Sequence, residues 1–200
     1  MDSTALFKIT YGLYVLTAKD QGKDNGCIIN TLMQITSINP CSIIVSVNKQ
    51  NLTHDMIVNT GEFNVSILAQ STPFRIFEHF GFQSGHKIDK FNDFINAARS
   101  ENGLMYLTQF ANSYVSAKVT GSFDCDTHTV FYAEITAADN LSDEESITYD
   151  YYHKHTRPQV TASVGKYVCN ICGYVYEGDV LPADFICPLC KHGASDFSKI

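Results

Sequence analysis

The chain has 200 residues, 44% of them hydrophobic, and its 14 Lys and Arg against 21 Asp and Glu give a formal net charge of -7. That length supports one substantial core plus a small appended module, and the acidic balance argues against nucleic acid as a partner, since phosphate backbones are bound through Lys and Arg. No apolar run reaches the roughly 18 residues of a membrane span, and the opening Met1-Asp2-Ser3-Thr4 has neither the basic nor the apolar region of a secretion signal, so a cytoplasmic protein is expected.

In chain order, residues 11–18, 41–47, 62–68, 113–123 and 130–135 are rich in β-branched and aromatic residues and read as strands. Asn39-Pro40 is a turn signal between Ile35-Thr36-Ser37 and the run at 41–47, which makes these two strands sequential neighbours. A helix is predicted from near Thr53, as N-cap, through His54-Asp55-Met56-Ile57-Val58 to a left-handed C-cap at Gly61. A second runs from Pro73 to near Gly81. Many strands with few helices predict a β-barrel rather than a doubly wound sheet, and no Gly-x-Gly-x-x-Gly fingerprint is present. Arg157-Pro158-Gln159 and Ser163-Val164-Gly165 read as linker, giving domains at 1–155 and 166–200 joined by 156–165.

The second domain holds the strongest motif. Cys169-Asn170-Ile171-Cys172 and Cys187-Pro188-Leu189-Cys190 are separated by fourteen residues. Two Cys-x-x-Cys knuckles offer four thiolates to one ion, zinc or iron, in a shell that excludes water. A reducing compartment disfavours disulfides as the alternative. Cys27, Cys41 and Cys125 are read as core filler, and His192 as a surface residue beside a site already full.

Two constellations in the first domain could carry chemistry. Asn48-Lys49-Gln50-Asn51-Leu52-Thr53-His54 places amides, an ammonium and a hydroxyl at a helix start, where backbone N–H groups and the dipole favour an anion such as phosphate; a polar loop with an ordinary cap looks the same. Asp126-Thr127-His128-Thr129-Val130-Phe131 puts a His at the entry to a strand, a place where most histidines are plain surface residues. His153 and His155, two apart, read as exposed loop residues, and Tyr149, Tyr151 and Tyr152 as packing or dimer contacts.

Tyr11-Gly12-Leu13-Tyr14-Val15, the stretch from Asn30-Thr31 through Gln34-Ile35-Thr36-Ser37 to Asn39-Pro40, Asn48-Lys49 with Thr53-His54, the strand from Thr127 to Glu134, Leu141, and Tyr149-Asp150-Tyr151-Tyr152-His153-Lys154 together resemble the flavin reductase family over residues 1–155. Tyr167-Val168, Gly173-Tyr174 and Cys187-Pro188-Leu189-Cys190 resemble rubredoxin. The combination is similar to the fused high-molecular-weight rubredoxins. The short spacing between knuckles is closer to the compact domain of rubrerythrins, and Lys191 stands where a Gly often follows the second knuckle. With no Trp in the chain, aromatic cover for the metal falls to Tyr174, Tyr176, Phe185 and Phe197.

The resemblance implies an FMN-binding split β-barrel, a homodimer with FMN near the subunit interface. Asn30, Thr31, Gln34, Thr36 and Ser37 would then lie along the isoalloxazine and ribityl chain. Ser46, Asn48, Lys49, Asn51 and Thr53 would bind the phosphate. His128 would stand on the nicotinamide side as the catalytic candidate, and Cys169, Cys172, Cys187 and Cys190 would hold iron, with zinc able to replace it on recombinant expression. Iron beside a flavin implies electron transfer from NAD(P)H through FMN to the four-cysteine centre and on to an external acceptor, and the resemblance implies that this acceptor is a flavodiiron protein or rubrerythrin that reduces dioxygen, nitric oxide or peroxide. The alternatives are an NAD(P)H:flavin reductase with a structural zinc knuckle and a redox-sensing zinc-ribbon flavoprotein.

Overall fold

The computed structural model describes residues 8–158, 166–170, 174–187 and 193–200. The chain divides into two compact units, Met1–Arg157 and Pro158–Ile200.

The first unit is built on one antiparallel sheet of seven strands in the order β2-β1-β5-β8-β9-β4-β3. They are β1 Tyr14–Asp20, β2 Lys23–Ile29, β3 Leu32–Gln34, β4 Ser42–Asn48, β5 Glu62–Leu68, β8 Ala111–Cys125 and β9 His128–Asn140. A separate hairpin pairs β6 Ala97–Arg99 with β7 Met105–Leu107. Alternation sets which side faces in: in β4, Ile43, Val45 and Val47 are buried while Ile44, Ser46 and Asn48 are only half-buried. Leu16, Cys27 and Ile29 from one end of the sheet share a core with Ile43, Val45 and Val47 from the other end, so the sheet curls into a barrel. Helix α1, Leu52–Thr60, closes that core with Met56 and Ile57. It ends at Gly61, whose φ of 72° is the left-handed geometry glycine adopts without a Cβ penalty.

A second cluster covers the other face. Val15 and Leu68 pack there against Ile76, Phe77 and Phe80, Leu107, and Ile147 and Tyr152. These come from α2, Phe74–Phe77, which continues as a π turn over Glu78–Phe82, from β7, and from the segment around α3, Tyr149–Tyr151, which runs on as a π turn to Thr156. His153 and His155 lie on this last turn, against Tyr149 and Tyr151 respectively, rather than on a loop. Among the described residues no helix is long and apolar enough to cross a membrane.

Several expectations change. Strand β2, which is not among the expected strands, opens with Lys23-Asp24-Asn25-Gly26, and Asn25 is buried there with its amide donating to Thr53 Oγ1 at 2.9 Å. Ile35-Thr36-Ser37 are not strand: β3 ends at Gln34, and the amides of Ile35 and Thr36 both donate to Ser42 O. Asn51, not Thr53, is the N-cap of α1. Of the three unassigned cysteines only Cys27 is buried; Cys41 is half-buried and Cys125 is exposed at the end of β8.

The second unit contains a three-stranded sheet, β11-β10-β12, formed by Val175–Tyr176, Tyr167–Cys169 and Phe197–Lys199. Phe185 joins its aromatic residues, 6.2 Å from Tyr174, 4.7 Å from Tyr176 and 5.4 Å from Phe197 between ring centroids. Gly178 lies where a Cβ would come within 2.6 Å of the Tyr176 ring, so the absence of a side chain lets that ring lie flat.

Candidate functional site

In the first unit, the segment leading into α1 and the tip of the β8–β9 hairpin come together. Asn48 is the cross-strand partner of His128, and Ser46 that of Val130, so Ser46, Asn48 and His128 share the outward face of the sheet. Lys49 N donates to Thr127 O at 3.0 Å, and Lys49 Nζ donates to Asp124 Oδ2. Asn48 Oδ1 accepts from Gln50 N at 2.8 Å, which turns the chain toward the helix. The first helical bond runs from His54 N to Asn51 O.

The polar side chains expected to hold a phosphate therefore divide. Ser46 and Asn48 face outward, and the side chains of Ser46 and Asn51 have no hydrogen-bond partner among the described residues, so both are open to a ligand. Lys49 is engaged by Asp124. Thr53 is fully buried, its hydroxyl accepting from Asn25, so it supports the helix start from behind and does not face solvent. As the second residue of α1 it lies on the stripe that covers the core.

The segment from Asn30 to Ser37 forms a polar run on the rim beyond β2. Thr31 Oγ1 donates to Asn30 Oδ1, Gln34 Nε2 donates to Thr36 O, and Thr36 Oγ1 accepts from Ser42 N at 2.9 Å. Gln34, Thr36 and Ser37 are exposed. His128 shares a 2.9 Å hydrogen bond between Nδ1 and the Thr127 hydroxyl, and partial burial pushes its pKa below the usual imidazole value, favouring the neutral ring.

On the inner side of the hairpin a cavity of about 370 Å³ opens between α1 and the barrel mouth, with Lys49, His54, Asp124, Thr129 and Phe131 in its wall. His54 is buried there, 2.9 Å from Thr129 Oγ1 through Nε2 and donating from Nδ1 to the Asp55 carboxylate. The sequence does not single out Asp124, and Thr129 enters it only as a neighbour of His128. Their place follows from the hairpin register, in which Asp124 pairs with Thr129 and Cys125 with His128. The turn pair Asp126-Thr127 was the one signal from which that register could have been read.

In the second unit Cys169 and Cys187 are 1% and 0% exposed. Cys169 N donates to Tyr174 O and Asn170 N to Asp196 O, which ties the first knuckle to the strands beside it. The bridge between Ile186 and Gly193 brackets the second. Cys172 and Cys190 lie outside the described residues, as does His192. Two buried soft donors suit an iron or zinc ion.

A profile of the flavin reductase like domain matches residues 6–160, and one of the rubrerythrin, rubredoxin-like domain matches residues 167–198. The chain belongs to the flavin reductase family. It is 40% identical to the high molecular weight rubredoxin of Moorella thermoacetica over the full length of both. It is 39% identical to the ferric-chelate reductase (NAD(P)H) of Archaeoglobus fulgidus across 76% of this chain and 89% of that one. In fold, the first unit is similar to the NADH:FAD oxidoreductase of Streptomyces globisporus, with a TM-score of 0.64 at 19% identity over 72% of this chain and 84% of the other. A flavin reductase domain fused to a rubredoxin-like domain, mainly β with few helices, is thus the organisation of this protein, and the two domains imply a flavin and an iron.

Proposed function

We propose that this chain is an NAD(P)H-dependent oxidoreductase that passes electrons through FMN to a four-cysteine iron centre and on to an external redox partner. The observation that carries this reading is the fusion of a flavin reductase domain to a rubredoxin-like unit whose buried side chains, among the described residues, are thiols. When bound, FMN takes a hydride and gives up its electrons singly, and four-thiolate iron takes one, so the pair converts a two-electron input to one-electron output.

The residues have distinct tasks. Ser46, Asn48, Lys49 and Asn51, with the N-terminus of α1, hold the phosphate. Asn30, Thr31, Gln34, Thr36 and Ser37 lie along the ring system and ribityl chain, offering amides and hydroxyls from an exposed rim. His128, on the same face as Asn48, positions the nicotinamide end of NAD(P)H as a neutral imidazole. Cys169, Cys172, Cys187 and Cys190 hold the iron. The outward face of the sheet also exposes Met33, Phe123 and Tyr132, with Ile35 and Ile38 beside it, an apolar surface that suits a second copy of the chain in a homodimer. The full-length likeness to a high molecular weight rubredoxin supports a relay through the iron, and the acceptor proposed for it is a flavodiiron protein or rubrerythrin in the cytoplasm.

The test is an anaerobic visible spectrum of the purified protein with metal analysis, before and after NADH. Flavin and ferric-thiolate absorption that both bleach support the relay. Zinc in the second unit, with only the flavin reduced, sinks it and leaves a flavin reductase with a structural knuckle.

A further inference from the structure

Lys49, given above to the flavin phosphate, already has an anion. Its Nζ lies 2.5 Å from Asp124 Oδ2, and Asp124 Oδ1 accepts from Asp126 N at 3.0 Å. The backbone bond from Lys49 N to Thr127 O fixes the two segments against each other. The carboxylate is therefore placed by the hairpin and not by a chance rotamer. Side-chain exposures of 34% for Lys49 and 71% for Asp124 leave the pair open to an incoming ligand. The Lys49 ammonium holds the Asp124 carboxyl below the usual carboxylate range, so it is ionised at neutral pH. A second carboxylate, Asp55, stands in the first turn of α1.

We propose that Asp124 is a specificity-determining residue of the flavin site, a built-in counter-ion that a phosphate must share or displace to reach Lys49. This rests on the reading of Lys49 as a phosphate ligand. A phosphate monoester carries a charge of about -1.5 to -2, and at Lys49 it stands well inside the screening length of about 8 Å at physiological salt. It gains the ammonium and meets the carboxylate at once. Asp124 thereby lowers the share of FMN affinity that comes from the phosphate, while keeping Lys49 oriented when the site is empty of anion. A flavin without a phosphate is indifferent to it.

The experiment is a titration of the full-length apoprotein with FMN and with riboflavin, followed by flavin fluorescence, for the wild type, Asp124→Asn and Lys49→Met. Asparagine keeps an Oδ1 to accept from Asp126 N, so the turn survives. Asp124→Asn is expected to tighten FMN about two- to fivefold, the range of an exposed charge pair, to leave riboflavin unchanged, and to lose most of that gain in roughly 0.5 M salt. Equal changes for both flavins, or weaker FMN binding, overturn the proposal. Phosphates of the nicotinamide nucleotide share this chemistry: unchanged FMN affinity with an altered KM for NADPH in the FMN-saturated protein assigns the pair to the nucleotide and also overturns it. Lys49→Met separates the two levels. If it leaves FMN affinity intact, the phosphate role of Lys49 fails; if it weakens FMN while Asp124→Asn does nothing, only the role of Asp124 fails.

Discussion

The two units solve the problem of staying folded in opposite ways. The first packs Leu16, Val45, Val47, Phe63 and Val65 inside the barrel and Val15, Leu68, Phe80 and Leu107 outside it, in two clusters that need no cofactor to exist. In the second, the only hydrophobic side chains fully buried among the described residues are Cys169 and Cys187. A unit spanning 158–200 is near the size at which an apolar core alone fails and a metal becomes necessary. If these thiols hold the iron as proposed, the folding free energy of the unit is largely metal-binding free energy. Cys187→Ser should therefore abolish ordered structure in the second unit: iron content and ferric-thiolate absorption are lost, while NAD(P)H-dependent reduction of FMN continues. Retention of a cooperative second transition without metal would break the contrast.

The reciprocal change belongs in the barrel. Phe63 is fully buried, and Phe63→Ala should cost about 3–5 kcal/mol through lost contacts and a residual cavity. Chemical unfolding followed by flavin release should show that loss, with the iron absorption holding to its wild-type midpoint. Smaller still is an effect of pH. Lys90 is 2% exposed, its ammonium donating to Gly26 O on the open edge of β2 and to Phe80 O. His79 bonds to Lys90 O, and Cys27 is the titratable neighbour on β2. Burial pushes the Lys90 pKa down to about 8 from 10.5. Above pH 8 the folded chain sheds this proton while the unfolded chain keeps it, so stability rises with pH, by about 1 kcal/mol per unit at most. Burial also raises the Cys27 thiol above its ordinary value of 9.0; there the unfolded chain loses its proton first, and stability falls as pH rises past that value. The clean window is pH 8 to 9. Lys90→Met should flatten the slope of unfolding free energy in that window, and a slope that survives it assigns the effect elsewhere.

The same contrast governs what the sequence made legible. Strands β4 and β5 announce themselves because CSIIVSV and EFNVSIL combine β-branched residues with alternation, and the thiolate knuckles because their spacing is itself the chemistry. Strand β2 hides, since Asn25 belongs in the core only once Thr53 is there to accept its amide. β9 runs past the predicted Ile135 to Asn140 because Ala137, Ala138 and Asp139 are held by pairing with β8 and not by propensity. In the site, Asn48 and His128 were both named, but their facing one another is a property of register. Asp124 was missed because its contact with Lys49 spans two strands that no local pattern links.

The smallest expected effect lies on the surface of the second unit, where Lys166 Nζ contacts Glu177 Oε2 with the carboxylate side chain 69% exposed. An ion pair open to water gains little, because solvent screening and the cost of ordering two long side chains offset the attraction; about 0.2–1 kcal/mol is the usual range. Set against a metal held by thiolates, that is a minor term, and Lys166 is also tied by its carbonyl, which accepts from Ile200 N at 2.8 Å and is unaffected by side-chain replacement. Lys166→Met should leave iron content unchanged and move the loss of ferric-thiolate absorption on heating by no more than a few degrees. The shift should shrink further in high salt. If this substitution instead empties the iron site, the second unit depends on its charged rim as much as on its ligands, and the division between an apolar core and a metal core is too sharp.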